Sequence, residues 1–85
     1  MQFNNNGQAI YVQIVDYICE KILLGEYKAE DKIPSVRELA IQLEVNPNTV
    51  ARAYELLKQQ QLVFDKRGIG YFITPEAKSI ALNYR

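Results

Sequence analysis

The chain has 85 residues, 48% of them hydrophobic, and its 10 basic and 10 acidic side chains give a net charge of zero. That length supports one modest core and a single small domain. Cys19 is the only cysteine and histidine is absent, which excludes an intrachain disulfide, the usual zinc sites and every histidine-based catalytic arrangement.

Residues 1–8 are polar and are expected to be a flexible terminus. They lack a signal-peptide pattern, and no later run is long or apolar enough to span a bilayer. The chain is therefore expected to be soluble, cytoplasmic, away from any membrane and without a cofactor. A first helix is predicted from Ala9 to Leu24, where Ile10, Tyr11, Ile14, Val15, Ile18, Ile22 and Leu23 trace a wide apolar stripe. Gly25 suits the positive-φ position that closes a helix. Cys19 falls within the apolar pattern and reads as a buried, inert thiol. Nothing in this helix suggests chemistry; it is scaffold, with part of its stripe available to a second subunit.

Residues 26–34 form a polar connection in which Lys32-Ile33 can make a very short strand. Ser35 followed by Glu38 is a capping-box pattern and starts a second helix. Val36, Leu39, Ala40 and Leu43 supply its buried side. Glu44-Val45-Asn46 then turns tightly into a third helix, capped by Asn46 and opened by Pro47. Val50, Ala53, Tyr54 and Leu57 are its buried stripe. Asn48, Thr49, Arg52, Glu55 and Gln59 fall on the opposite side. Short hydrogen-bonding side chains followed by an arginine can read base edges in a major groove. Two helices joined by such a turn fit a helix-turn-helix.

After Gln61 the pattern changes. Residues 62–65 and 71–74 are rich in strand formers and flank Lys66-Arg67-Gly68-Ile69-Gly70, so a hairpin with a cationic, glycine-containing tip is predicted. Against DNA phosphates this hairpin is a wing; otherwise its cations keep an exposed edge soluble. Residues 76–85 look helical, with Ala77, Ile80, Ala81 and Tyr84 along one side. They are either a docked tail or the start of a longer dimerisation or effector region. The fold class is thus mainly α with a small hairpin: a three-helix core, a wing and a short C-terminal helix. Residues 1–31 carry five acids against two lysines, whereas from Lys32 onward eight basic residues face five acidic ones. The surface is expected to be polarised despite the zero net charge.

The segments K-I-P-S-V-R-E-L-A (32–40), V-N-P-N-T-V-A-R-A-Y (45–54) and R-G-I-G-Y-F-I (67–73) resemble the DNA-binding domain of GntR-family bacterial transcription regulators, and the N-P-N-T run is similar to the YtrA-like branch. The resemblance covers residues 9–75. It implies that Ser35 and the first amides of its helix contact a phosphate, with Arg37 reaching DNA from the same helix. It further implies that Asn46, Asn48 and Thr49 meet bases and adjoining phosphates, while Lys66, Arg67 and Gly68 lie along a minor groove. Many family members carry arginine where this chain has Ala51; here it comes at Arg52, turned by about 100° around the helix. Arg52 is thus an expected DNA contact, without the family's usual base preference.

Each residue also has a plain structural role open to it. Ser35 and Asn46 are helix caps with or without DNA, and Arg37 can pair with Glu38 or Glu44. The implied function is a sequence-specific regulator of transcription that binds double-stranded DNA. It acts as a homodimeric repressor on a palindromic operator, with any small-molecule effector bound by a region outside these residues. The competing reading is a winged-helix module that binds another protein. An enzyme finds no support in the residues present.

Overall fold

The computed structural model describes residues 9–84; the expected flexible terminus at residues 1–8 lies outside the described residues. The elements run α1 (Ile10–Leu23), α2 (Val36–Leu43), α3 (Pro47–Gln59), β1 (Val63–Lys66), β2 (Gly70–Ile73) and α4 (Ala77–Tyr84). The apolar stripe of α1 buries Ile14, Val15, Ile18, Cys19 and Ile22, chiefly against α3 and α4. Ile10 departs from the expected stripe and stays 42% exposed. It is the first residue of α1, where the stripe runs past the edge of the core. Gly25, at φ +80°, closes the helix by letting the amides of Glu26 and Tyr27 return to the Lys21 carbonyl at 2.9 and 3.2 Å.

The capping box at the start of α2 forms as its pattern requires. The Ser35 hydroxyl accepts the Glu38 amide at 3.1 Å and the Glu38 carboxylate accepts the Ser35 amide at 2.8 Å. Glu44 ends α2 in the left-handed conformation, φ 57° and ψ 47°, and reverses the chain toward α3. Leu39, Ala40 and Leu43 meet Val50, Ala53, Tyr54 and Leu57 in one core, while Val36 is only partly buried at its rim. Tyr54 crosses that core fully buried. Its hydroxyl donates to the Pro34 carbonyl at 2.6 Å, and its ring meets Tyr71 edge-on at 4.9 Å. Burial raises the Tyr54 phenol far above its ordinary range, so it stays a donor and ties the start of α2 to the middle of α3.

The hairpin pairs Val63 with Ile73, Phe64 with Phe72, Asp65 with Tyr71 and Lys66 with Gly70. Val63 and Ile73 face the core, whereas Phe64 and Phe72 stack on the other face at 5.7 Å. Both strands have the expected four residues but lie one residue nearer the tip than the sequence pattern suggests. Leu62 and Thr74 fall outside them, and the Thr74 hydroxyl instead donates to the Gln61 carbonyl at 2.7 Å. The expected short strand at Lys32-Ile33 is a single bridge from Lys32 to Phe72, supported by the Ile33 amide donating to the Tyr71 carbonyl at 3.0 Å. The segment entering α2 is thereby tied to β2, on the side away from β1. Ala77 and Ala81 bury α4 on α1.

Candidate nucleic-acid interface

Three groups of side chains make up the candidate surface. The first gathers where α2 enters and α3 begins. Ser35 is half-buried and committed to its capping box. The amides of Val36 and Arg37 follow it, with no intrahelical carbonyl behind them. The hydrogen bond from the Ser35 amide, assisted by the Ser35 side chain and Lys32, holds the Glu38 carboxyl below its usual range. Arg37 is exposed, and the ion pairs among the described residues, Lys21–Glu26 and Lys58–Asp65, do not include it. Arg37, Ala40 and Ile41 of α2 line a shallow apolar groove with Val45 and Pro47. Arg37 therefore stands beside the first turn of α3. Ile41 is 77% exposed on that groove.

The Asn46 side-chain oxygen accepts the Asn48 amide at 2.8 Å, which fixes where α3 starts. Asn48 is exposed and Thr49 half-buried. Asn48 and Arg52, four residues apart, project within about 40° of one another, so they form one outward strip. Arg52 makes the second group. It is exposed, yet its guanidinium lies 4.2 Å from the centre of the Tyr11 ring on α1. Tyr11, Arg52, Glu55, Leu56 and Gln59 line one small groove on the α1 side of α3. Glu55 brings a negative charge to that groove.

The wing is the third group. Lys66 ends β1 with its ammonium 4.8 Å from the Phe72 ring centre and 5.9 Å from that of Phe64. Arg67 and Gly68 are exposed at the tip, and Gly68 takes φ +79° with nothing within 4 Å of where a side chain would stand. One residue before Lys66, Asp65 meets Lys58 of α3 at 3.8 Å, which braces the wing against the C-terminal part of α3.

Sequence pattern alone singles out neither Tyr11 nor Lys32. Tyr11 reads as one more member of an apolar stripe, and only the α1–α3 crossing shows what its ring faces. Lys32 reads as a connector until its bridge to Phe72 is seen. Among the described residues no cluster of acids and cysteine could hold a metal ion, and no helix is long and apolar enough to cross a membrane.

The sequence model for "Bacterial regulatory proteins, gntR family" matches residues 10–73. The chain is 44% identical over 70 residues to the HTH-type transcriptional repressor YtrA of Bacillus subtilis, which covers 82% of this chain and 54% of that protein. It superposes with TM-score 0.88 and 41% identity on a GntR family transcriptional regulator from Listeria monocytogenes, covering 95% of this chain and 73% of the other. It also superposes with TM-score 0.79 and 27% identity on the AraR DNA-binding domain in complex with operator ORX1, covering 86% of this chain and 93% of that one. The chain spans 62% and 54% of the length of two curated Bacillus subtilis relatives that it matches. It belongs to the GntR family of bacterial regulatory proteins, and it has the winged helix-turn-helix fold of those relatives.

Proposed function

We propose that the chain binds double-stranded DNA sequence-specifically in the cytoplasm and acts as a homodimeric repressor on a palindromic operator. In this reading α3 lies in the major groove. Asn48, Thr49 and Arg52 meet base edges and adjoining phosphates, and Asn46 orients the helix start while offering its own amide. Ser35 and the first amides of α2 receive a backbone phosphate, where the helix dipole favours an anion, and Arg37 reaches the same strand. Lys66, Arg67 and Gly68 follow a minor groove.

The observation that carries the reading is the outward strip of Asn48 and Arg52 on a helix capped and turned by Asn46 and Glu44. The operator complex of AraR supports it by likeness of fold, and the name of YtrA supports repression. Any effector belongs to a region outside these 85 residues. The test is selection of bound sequences from a random duplex pool, followed by titration of Arg52→Ala and Lys66→Ala/Arg67→Ala against the selected site. Symmetric half-sites and weaker, less salt-dependent binding by both variants are expected. Wild-type affinity and salt slope in both variants would refute the assigned roles. No salt-dependent binding to any duplex would favour the protein-binding module.

A further inference from the structure

The outer face of the wing carries a second cation that the DNA reading leaves out. Lys66 stands directly opposite Gly70 in the β1–β2 register, and opposite residues of an antiparallel pair project from the same face. A side chain at Gly70 would start on that face, and its first carbon would stand 2.9 Å from Cε and 3.8 Å from Nζ of Lys32. Lys32 thus crosses the bare backbone of Gly70 on the side where Lys66 rests over Phe72 and Phe64. The Lys32–Phe72 bridge fixes the root of this arm, and Gly70 leaves the slot through which it passes.

Neither ammonium has a carboxylate partner in the ion pairs among the described residues. Acids close to this face in sequence or contact are engaged elsewhere, Asp31 among them, its carboxylate accepting the Lys28 amide at 2.8 Å. Asp65 alternates to the opposite face from Lys66 and Phe64 and pairs with Lys58. Glu38 feels Lys32, but its carboxylate is engaged by the Ser35 amide at 2.8 Å. Two ammonium groups on one face, each a donor with no acceptor capacity, repel one another until an anion joins them. Arg67 follows Lys66 at the exposed tip, so an extended anion fits this row of cations.

We infer that Lys32 and Lys66 together grip the phosphate backbone of duplex DNA beside the wing, with Lys32 as a DNA contact in its own right. The inference rests on the duplex-DNA reading above. Its test is titration of Lys32→Gln and, as an equal change of charge elsewhere, Lys28→Gln against one duplex over a range of salt concentrations. Lys32 is exposed, so the variant keeps the fold, checked by circular dichroism and thermal unfolding. Lys32→Gln should bind several-fold more weakly at low salt. The slope of log affinity against log salt should shrink by about 0.9, the loss of one phosphate contact. Lys28→Gln should match wild type. Inorganic phosphate at matched ionic strength should displace no more DNA than chloride does. If wild type binds with a salt slope and Lys32→Gln shows the same slope, the inference fails while the DNA reading stands. Equal losses in both variants would reduce it to a net-charge effect and overturn it. Preferential displacement by phosphate would make this a free-anion site, and that result would overturn it too. Wild type without salt-dependent binding would instead sink the DNA reading.

Discussion

At the scale of single residues, the informative side chain is Arg52. A guanidinium 4.2 Å from the Tyr11 ring centre keeps its edge N–H groups free to donate while its face is occupied. An exposed cation–π contact is worth about 0.5–1 kcal/mol, enough to bias one rotamer of a flexible side chain. Tyr11→Leu is therefore expected to weaken binding to a selected site by about two- to five-fold, converting that energy at 1.4 kcal/mol per tenfold. Tyr11→Phe, which keeps the ring, should bind like wild type, and Tyr11→Leu should add nothing in an Arg52→Ala background. A full additive loss in the double variant, measured by titration, would show that Tyr11 acts independently of Arg52. Glu38 gives a pH-dependent counterpart. Its native carboxyl is held below the ordinary 4.5 by hydrogen bonds from Ser35, so the unfolded chain binds that proton more readily. The capping box accordingly contributes full stability above about pH 4.5 and loses it as the pH falls through the lowered native value. Glu38→Gln, whose amide oxygen can still accept the Ser35 amide, should show a flatter fall in thermal stability between neutral and acid pH. An unchanged profile would show that other carboxylates control the acid limb.

The turn between α2 and α3 shows how elements set the angle at which a side chain is offered. Glu44 takes φ 57° to turn the chain, and a left-handed conformation costs an ordinary residue about 1–2 kcal/mol. Glycine there removes that cost and adds about 0.5–1 kcal/mol of lost backbone entropy. Glu44→Gly is therefore expected to raise stability by about 0.5–1 kcal/mol in chemical denaturation, with DNA affinity unchanged; a destabilised variant would mean that the carboxylate matters more than the backbone. This turn was legible from the chain alone, because Asn46, Pro47 and the Ser35–Glu38 pair are local signals whose partners lie within three residues. So was the buried stripe of α3, which follows from helical period. The wing's tip was legible from Gly68 and its neighbours. What lay beyond reach was everything set by contacts distant in sequence: the Lys32–Phe72 bridge, the Tyr54–Pro34 hydrogen bond and the Tyr11–Arg52 stack. Ile10 misled for a related reason, since a period of 3.6 marks a face and says nothing of where the neighbouring element stops.

At the scale of the molecule, a zero net charge means that attraction to DNA comes from distribution alone. The domain measures 32 × 30 × 21 Å, close to one helical turn of duplex, about 34 Å. One copy can therefore cover one half-site, and two copies side by side can put their α3 helices on successive turns. A single copy makes few phosphate contacts and is expected to bind weakly. Two copies joined by a flexible linker make the second contact intramolecular, which adds about 10²–10⁴ in affinity when both half-sites can be reached. A tandem fusion of this chain should show that gain on inverted half-sites one turn apart. Inserting about 5 base pairs, half a turn, carries one half-site to the opposite face of the duplex. Most of the gain should then vanish, and inserting a further half-turn should restore part of it. Binding that ignores the spacing would mean that the two copies do not engage as a two-fold pair, and the palindromic operator would have to be given up while the individual DNA contacts stood.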